Sequence, residues 1–152
     1  QENNERCPIN YVTPPGVVRE QLYNNITVIN QNEQSLALRV SGKGLEPNDS
    51  RAVFKNVSID MRQFNKLKMF LHAESLPNEI VLRDNQMVGF IRFGNDFTDN
   101  FYQIEIPLQV TIPSPDCKVG ASAVWPEANE IDLKLDLLTK LKILAMGIDP
   151  TT

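Results

Sequence analysis

From Ile26 to Leu137 apolar residues return at every second position in one short run after another. Successive side chains of a strand point to opposite faces, so this period describes chain buried on one side only. Ile26 and Val28 head the first run. Leu36, Leu38 and Val40 make the second, closed by Ser41-Gly42-Lys43-Gly44, and Val53, Val57, Ile59 and Met61 make the third. In the fourth, Leu67, Met69, Leu71 and Ala73 alternate with Lys66, Lys68, Phe70 and His72, after a turn at Gln63 to Asn65. The fifth and sixth, Met87 to Phe93 and Phe101 to Leu108, flank Gly94-Asn95-Asp96-Phe97-Thr98-Asp99-Asn100. Those loop residues accept left-handed or Asx-turn backbone, which predicts a hairpin. Pro107 cannot donate to a ladder, so it marks an edge or the last paired position of its strand.

The two ends of the chain read differently. Cys7-Pro8 and Thr13-Pro14-Pro15-Gly16 deny helical hydrogen bonds and force extended or turn geometry, so residues 1–22 read as a proline-containing lead-in. Near the other end, Ile131, Leu133, Leu135 and Leu137 alternate as a strand, while Leu137, Leu138, Leu141, Leu144 and Ala145 recur at three and four, as in a helix. A strand followed by a short amphipathic helix, stopped by Gly147 and Pro150, accounts for both. Ten prolines and fifteen asparagines against seven glycines argue against a helix bundle. The expected fold is all-β and mostly antiparallel, a β-sandwich or jelly roll over residues 23–148 with a short C-terminal helix.

Composition and motifs narrow the function by exclusion. The net charge of -4 leaves little for phosphate neutralisation, so nucleic acid is not expected as a partner. No window approaches the apolar length of a spanning helix, and no direct membrane insertion is expected of this segment. Cys7 and Cys117 lie too far apart for a metal clip. They either close a disulfide, worth about 2–5 kcal/mol in an oxidising compartment, or are two unpaired thiols. His72, the single histidine, has no adjacent serine, cysteine or second histidine and reads as structural. Asn95, Asp96, Asp99 and Asn100 could contribute oxygen ligands, but their spacing is not that of an EF-hand, and they read as a polar hairpin tip without a metal. Three Asn-x-Ser/Thr tripeptides, at Asn25, Asn48 and Asn56, are a weak signal in so asparagine-rich a chain. Phe90, Phe93, Phe97, Phe101 and Tyr102 could stack on a sugar, although strand phenylalanines are more often buried. Carboxylates are scattered along the chain, no nucleophile, phosphate-loop or dinucleotide motif occurs, and neither catalysis nor a cofactor is expected.

Longer strings carry a resemblance. NYVTPPGVVREQ, NEQSLALRV, DSRAVFKNVSIDMRQFNKLKMFLHAE, GFIRFGNDFTDNFYQIEIPL and VWPEANEIDLKLDLLTKLK, in that order from about Asn10 to Lys142, resemble a segment of the very large SprA (Sov) cell-surface and gliding-motility proteins of Bacteroidetes. The resemblance implies one soluble module of the outer-membrane translocon of type 9 secretion, a giant β-barrel that exports folded cargo. It implies no catalytic residue. The module would face the cell surface or the periplasm, and its partners would be other parts of the barrel, accessory subunits and exported cargo. The expected contacts are the loop Asn95, Asp96, Asp99 and Asn100 and the lead-in Pro14, Pro15 and Gly16, because loops on a rigid scaffold usually carry contact. The competing expectation is a carbohydrate-binding module or a sandwich-fold glycosidase.

Overall fold

The computed structural model describes residues 7–18, 21–24, 27–30 and 35–147. Its elements in chain order are β1 (Gln21–Asn24), β2 (Thr27–Asn30), β3 (Lys66–Phe70), β4 (Val88–Gly94), β5 (Phe101–Pro107), α1 (Ala121–Val124), β6 (Glu130–Lys134) and α2 (Asp136–Ala145). Single 3-10 turns lie at Met61–Gln63 and Glu127–Asn129. The described fold is predominantly β, built as three two-stranded antiparallel ribbons, β1–β2, β3–β6 and β4–β5. The chain divides into two compact units, Gln1–Gly16 with Met61–Thr152, and Val17–Asp60.

In the first unit, the hairpin forms where the alternation and the polar loop place it. β4 and β5 pair from Val88↔Pro107 to Gly94↔Phe101, so Pro107 occupies the last paired position of its strand. Gly94 is required by close approach, since a Cβ there would overlap the backbone of Asn100 and Phe101. β3 pairs with β6 rather than with a sequence neighbour: Leu67 faces Leu133 and Met69 faces Ile131 on one side, while Lys68↔Asp132 and Phe70↔Glu130 share the other. The lysine face is held by ion pairs, Lys68 to Glu130 at 2.7 Å and Lys66 to Asp132 at 3.2 Å. Both pairs run diagonally, each lysine reaching past its direct partner to the next carboxylate on β6, and diagonal opposite charges of this kind support a ladder by about a few tenths of a kcal/mol.

The core gathers Ala73, Leu108, Val124, Ile131, Leu135 and Leu138. Gly89 makes room in it: a Cβ there would stand 2.9 Å from Leu71 Cδ1 and 3.1 Å from Leu108 Cδ2. α2 takes over directly from β6, so Leu137, alternating in the sequence as a strand residue, is helical. An Asp136–Lys140 pair at 3.3 Å supports its first turn, and Gly147 at φ 68 ends it, donating its N–H to the Leu144 carbonyl. Pro150, the second expected stop, lies outside the described residues, as do Ile26 and Asn25. Of the stripe along α2 only Leu138 is buried; Leu137, Leu141 and Leu144 are exposed.

The second unit holds the β1–β2 ribbon, in register from Gln21↔Asn30 to Asn24↔Thr27. The strands expected at Leu36–Val40 and from Val53 to Met61 form no ladder. Every residue from 35 to 60 is exposed, including Leu36 at 76% and Val57 at 61%. Alternation sets which side each side chain takes, but a strand also needs a neighbouring edge, and none is described beside these runs.

Candidate functional site

The lead-in is not a free arm. Cys7 and Cys117 form a disulfide with Cα atoms 5.1 Å apart, across a sequence separation of 110. Beyond it the Val119 N–H donates to Asn10 Oδ1 at 3.2 Å, and the Trp125 indole Nε1–H donates to the Val12 carbonyl at 2.6 Å. Pro14 is buried, Pro15 is exposed, and Gly16 at φ 78 supplies the turn that ends the strap. The expected contacts Pro14 and Pro15 and the cysteines Cys7 and Cys117 are therefore gathered along one side of the first unit.

Trp125 organises that side. Its ring meets Tyr11, Phe70 and His72 edge-on, at centroid distances of 6.2, 6.2 and 5.8 Å. Edge-to-face packing of this kind is worth about 0.5–1.5 kcal/mol per pair beyond the area buried. His72 lies just past β3 and is held in place. Its Nδ1–H donates to the Val124 carbonyl at 2.8 Å, because a carbonyl can only accept, and Thr111 Oγ1 lies 3.2 Å from the same nitrogen. The Thr111 hydroxyl donates to the Ala123 carbonyl at 2.8 Å, and Nε2 stands 3.4 Å from Glu74 Oε2.

Beside the indole runs an open groove of about 460 Å³ walled by Pro15, Phe70, Trp125 and Pro126 and bordered by Glu127 and Glu130. A second hollow of about 270 Å³ shares Glu127 and Glu130 and adds Lys68 and Asp132. One end of the site is thus apolar and aromatic, and the other carries three carboxylates and one ammonium. The ion pairs act inside that polar end. Glu130, by hydrogen bond and charge, raises the Lys68 ammonium above its usual range, and the Lys66 ammonium lowers Asp132. Glu127 is exposed and makes no ion pair among the described residues. Trp125 was legible in the sequence as the single tryptophan, set in Val124-Trp125-Pro126-Glu127, but nothing local ties it to Val12 or Phe70.

The hairpin tip is built differently, with its polar residues turned on one another. Asp96 Oδ1 accepts the backbone N–H groups of Thr98, Asp99 and Asn100 at 2.9, 2.6 and 3.0 Å, and Oδ2 accepts from the Asn100 amide at 2.6 Å. These donors, the Asn100 N–H foremost, hold the Asp96 carboxyl far below the usual carboxylate range. The Asn95 N–H donates to the Asn100 carbonyl at 2.9 Å. The hairpin aromatics are similarly engaged: Phe93 and Tyr102 stack 5.9 Å apart, Arg92 lies 4.0 Å over Phe101, and the Tyr102 hydroxyl donates to the Leu138 carbonyl at 3.3 Å. Phe97 is the most exposed of the five, at 46%. Among the described residues no group of three or more His, Cys, Asp and Glu is placed to hold a metal, and no helix is long and apolar enough to cross a membrane.

The family model SprA_N, described as motility related/secretion protein, matches residues 1–145. No curated protein matches the chain.

Proposed function

The chain belongs to the SprA N-terminal family of motility related/secretion proteins, and from that membership we propose that it is a non-catalytic structural and interaction module of an outer-membrane protein-secretion translocon. In this reading it serves type 9 secretion and gliding motility, at the cell-surface or periplasmic face of the complex. Its partners are other parts of the barrel, accessory subunits and exported cargo.

The observation that carries the reading is uncovered apolar chain of strand period. Leu36 at 76%, Val53 at 59%, Val57 at 61% and Ile59 at 57% are exposed in a segment with no ladder of its own. Covering such side chains is worth about 25 cal/mol per Å² of apolar surface removed from water, so this segment gains stability from a partner that covers it. The sandwich expected from the alternation closes, in this proposal, when strands from elsewhere in the translocon add to the outer edges of the ribbons.

The test is an in-frame deletion of the module from the full-length translocon, with barrel assembly followed separately from cargo export and gliding. Loss of export from an assembled barrel supports the reading. Normal export and normal partner binding without the module defeat it, and sugar hydrolysis by the isolated chain replaces it with the glycosidase alternative.

A further inference from the structure

We propose that the groove between Pro15, Phe70, Trp125 and Pro126 is a docking site for an extended, proline-containing segment of a partner polypeptide whose lysine or arginine reaches Glu127 and Glu130. The inference rests on the module being an interaction domain and names the chemistry that one of its surfaces recognises.

The first argument is continuity. The unit already holds one extended, proline-bearing segment against this tryptophan: the indole N–H donates to the Val12 carbonyl, and Tyr11 packs on the ring. Pro15, the last proline of that strap, is exposed and forms a wall of the groove. A second extended segment laid beside the strap meets the same kind of surface, aromatic rings spaced by prolines. Proline-rich segments dock on such grooves because their backbone is already stiff and loses little entropy on binding.

The second argument is charge. The groove runs into the hollow of Glu127, Glu130, Asp132 and Lys68. Lys68 is committed to Glu130 at 2.7 Å, and Lys66 to Asp132 at 3.2 Å, which leaves Glu127 as the carboxylate without an ion-pair partner among the described residues. A cationic side chain compensates that end, an anionic one is repelled, and a neutral glycan leaves it uncompensated. The distribution therefore favours a basic peptide over a sugar, although both can stack on an indole.

Trp125 is the single tryptophan, so its fluorescence and its indole N–H resonance come from the one ring that borders both the groove and the strap. The disulfide-intact chain is titrated with a blocked pentapeptide of three prolines, one alanine and one arginine, with the same peptide carrying glutamate for arginine, and with cellohexaose. The expected result is a saturable response to the arginine peptide, weakened about two- to fivefold by Glu127→Gln and by added salt, as an exposed ion pair requires. Glu127 is exposed, so that variant keeps the fold, which its unchanged hairpin resonances verify. An absent response, an equal response to the glutamate peptide, or a response that Glu127→Gln leaves untouched overturns the proposal. A response to cellohexaose alone also overturns it and assigns the groove to glycan. Any of these results leaves the deletion experiment in cells free to succeed, so the failure of the groove and the failure of the translocon reading are separate outcomes.

Discussion

The side-chain amide of Asn129 pairs with the backbone of Gln109 as a strand would: the Gln109 N–H donates to Oδ1 at 2.7 Å, and Nδ2–H donates to the Gln109 carbonyl at 2.8 Å. The backbone of Asn129 is equally engaged, donating to the Pro126 carbonyl at 2.9 Å and accepting the Leu71 N–H at 3.2 Å. One side chain, 1% exposed, thereby links the end of the β3–β6 ribbon to the chain that leaves β5. Thr111 takes over where Asn129 stops, its N–H donating to the Ala73 carbonyl at 2.8 Å.

Asn129→Ala removes both bonds and leaves their partners without replacements. A cost of about 2–4 kcal/mol is expected, since each unsatisfied group costs roughly 1–3 kcal/mol and water recovers part of it. Chemical denaturation checks the size, and loss of amide protection at Gln109 while the β4–β5 hairpin stays protected checks the cause.

Leu71 and Gly89 should behave as a coupled pair. Leu71→Ala is expected to cost about 2–5 kcal/mol as a large-to-small change, and Gly89→Ala about 1–3 kcal/mol by overpacking against Leu71 and Leu108. The Gly89→Ala penalty should shrink in the Leu71→Ala background, because the nearest obstructing methyl is then gone. Lys68→Ala, on the opposite face, should cost under about 1 kcal/mol. Denaturant midpoints of these variants and of the double mutant decide it; additive losses would mean that the two residues do not share the space.

Asp96 makes the hairpin tip sensitive to acid. Its folded pKa is depressed by the Asn100, Asp99 and Thr98 donors relative to an unfolded carboxyl near the usual ~3.9. Its contribution is therefore fully present at neutral pH, above the unfolded value, and is lost as pH falls below the ordinary carboxylate range toward the folded value. Carbon-detected titration should place its midpoint well below the ordinary carboxylate range. Asp96→Asn should abolish the acid-linked exposure of the amides of residues 98–100 while leaving the β4–β5 ladder in place.

Replacing Cys7 and Cys117 together by serine should lower stability by about 2–5 kcal/mol, the usual cost of a native cross-link closing a long loop. The strap should also loosen from Trp125, seen as a red shift of its emission and loss of the indole N–H bond to Val12. A cysteine-free variant with unchanged emission and unchanged melting would show that Asn10, Val12 and Tyr11 hold the strap without the disulfide.

Local pattern made much of this molecule readable in advance. Alternation and the Gly94–Asn100 loop located the hairpin, the three-and-four spacing with Gly147 located α2, and Thr13-Pro14-Pro15-Gly16 marked chain that is neither helix nor strand, because each of these depends on residues within a few positions of one another. The register of β3 on β6, the clip from Asn129 to Gln109 and the Trp125 groove depend on residues from distant parts of the chain. An asparagine before a strand and a tryptophan before a proline look the same in sequence whether they lie idle or join two ribbons. The same division explains Leu36–Val40 and Val53–Ile59: their alternation assigns side chains to faces, but a ladder exists only where tertiary structure brings a second edge alongside, and no local pattern can supply that edge.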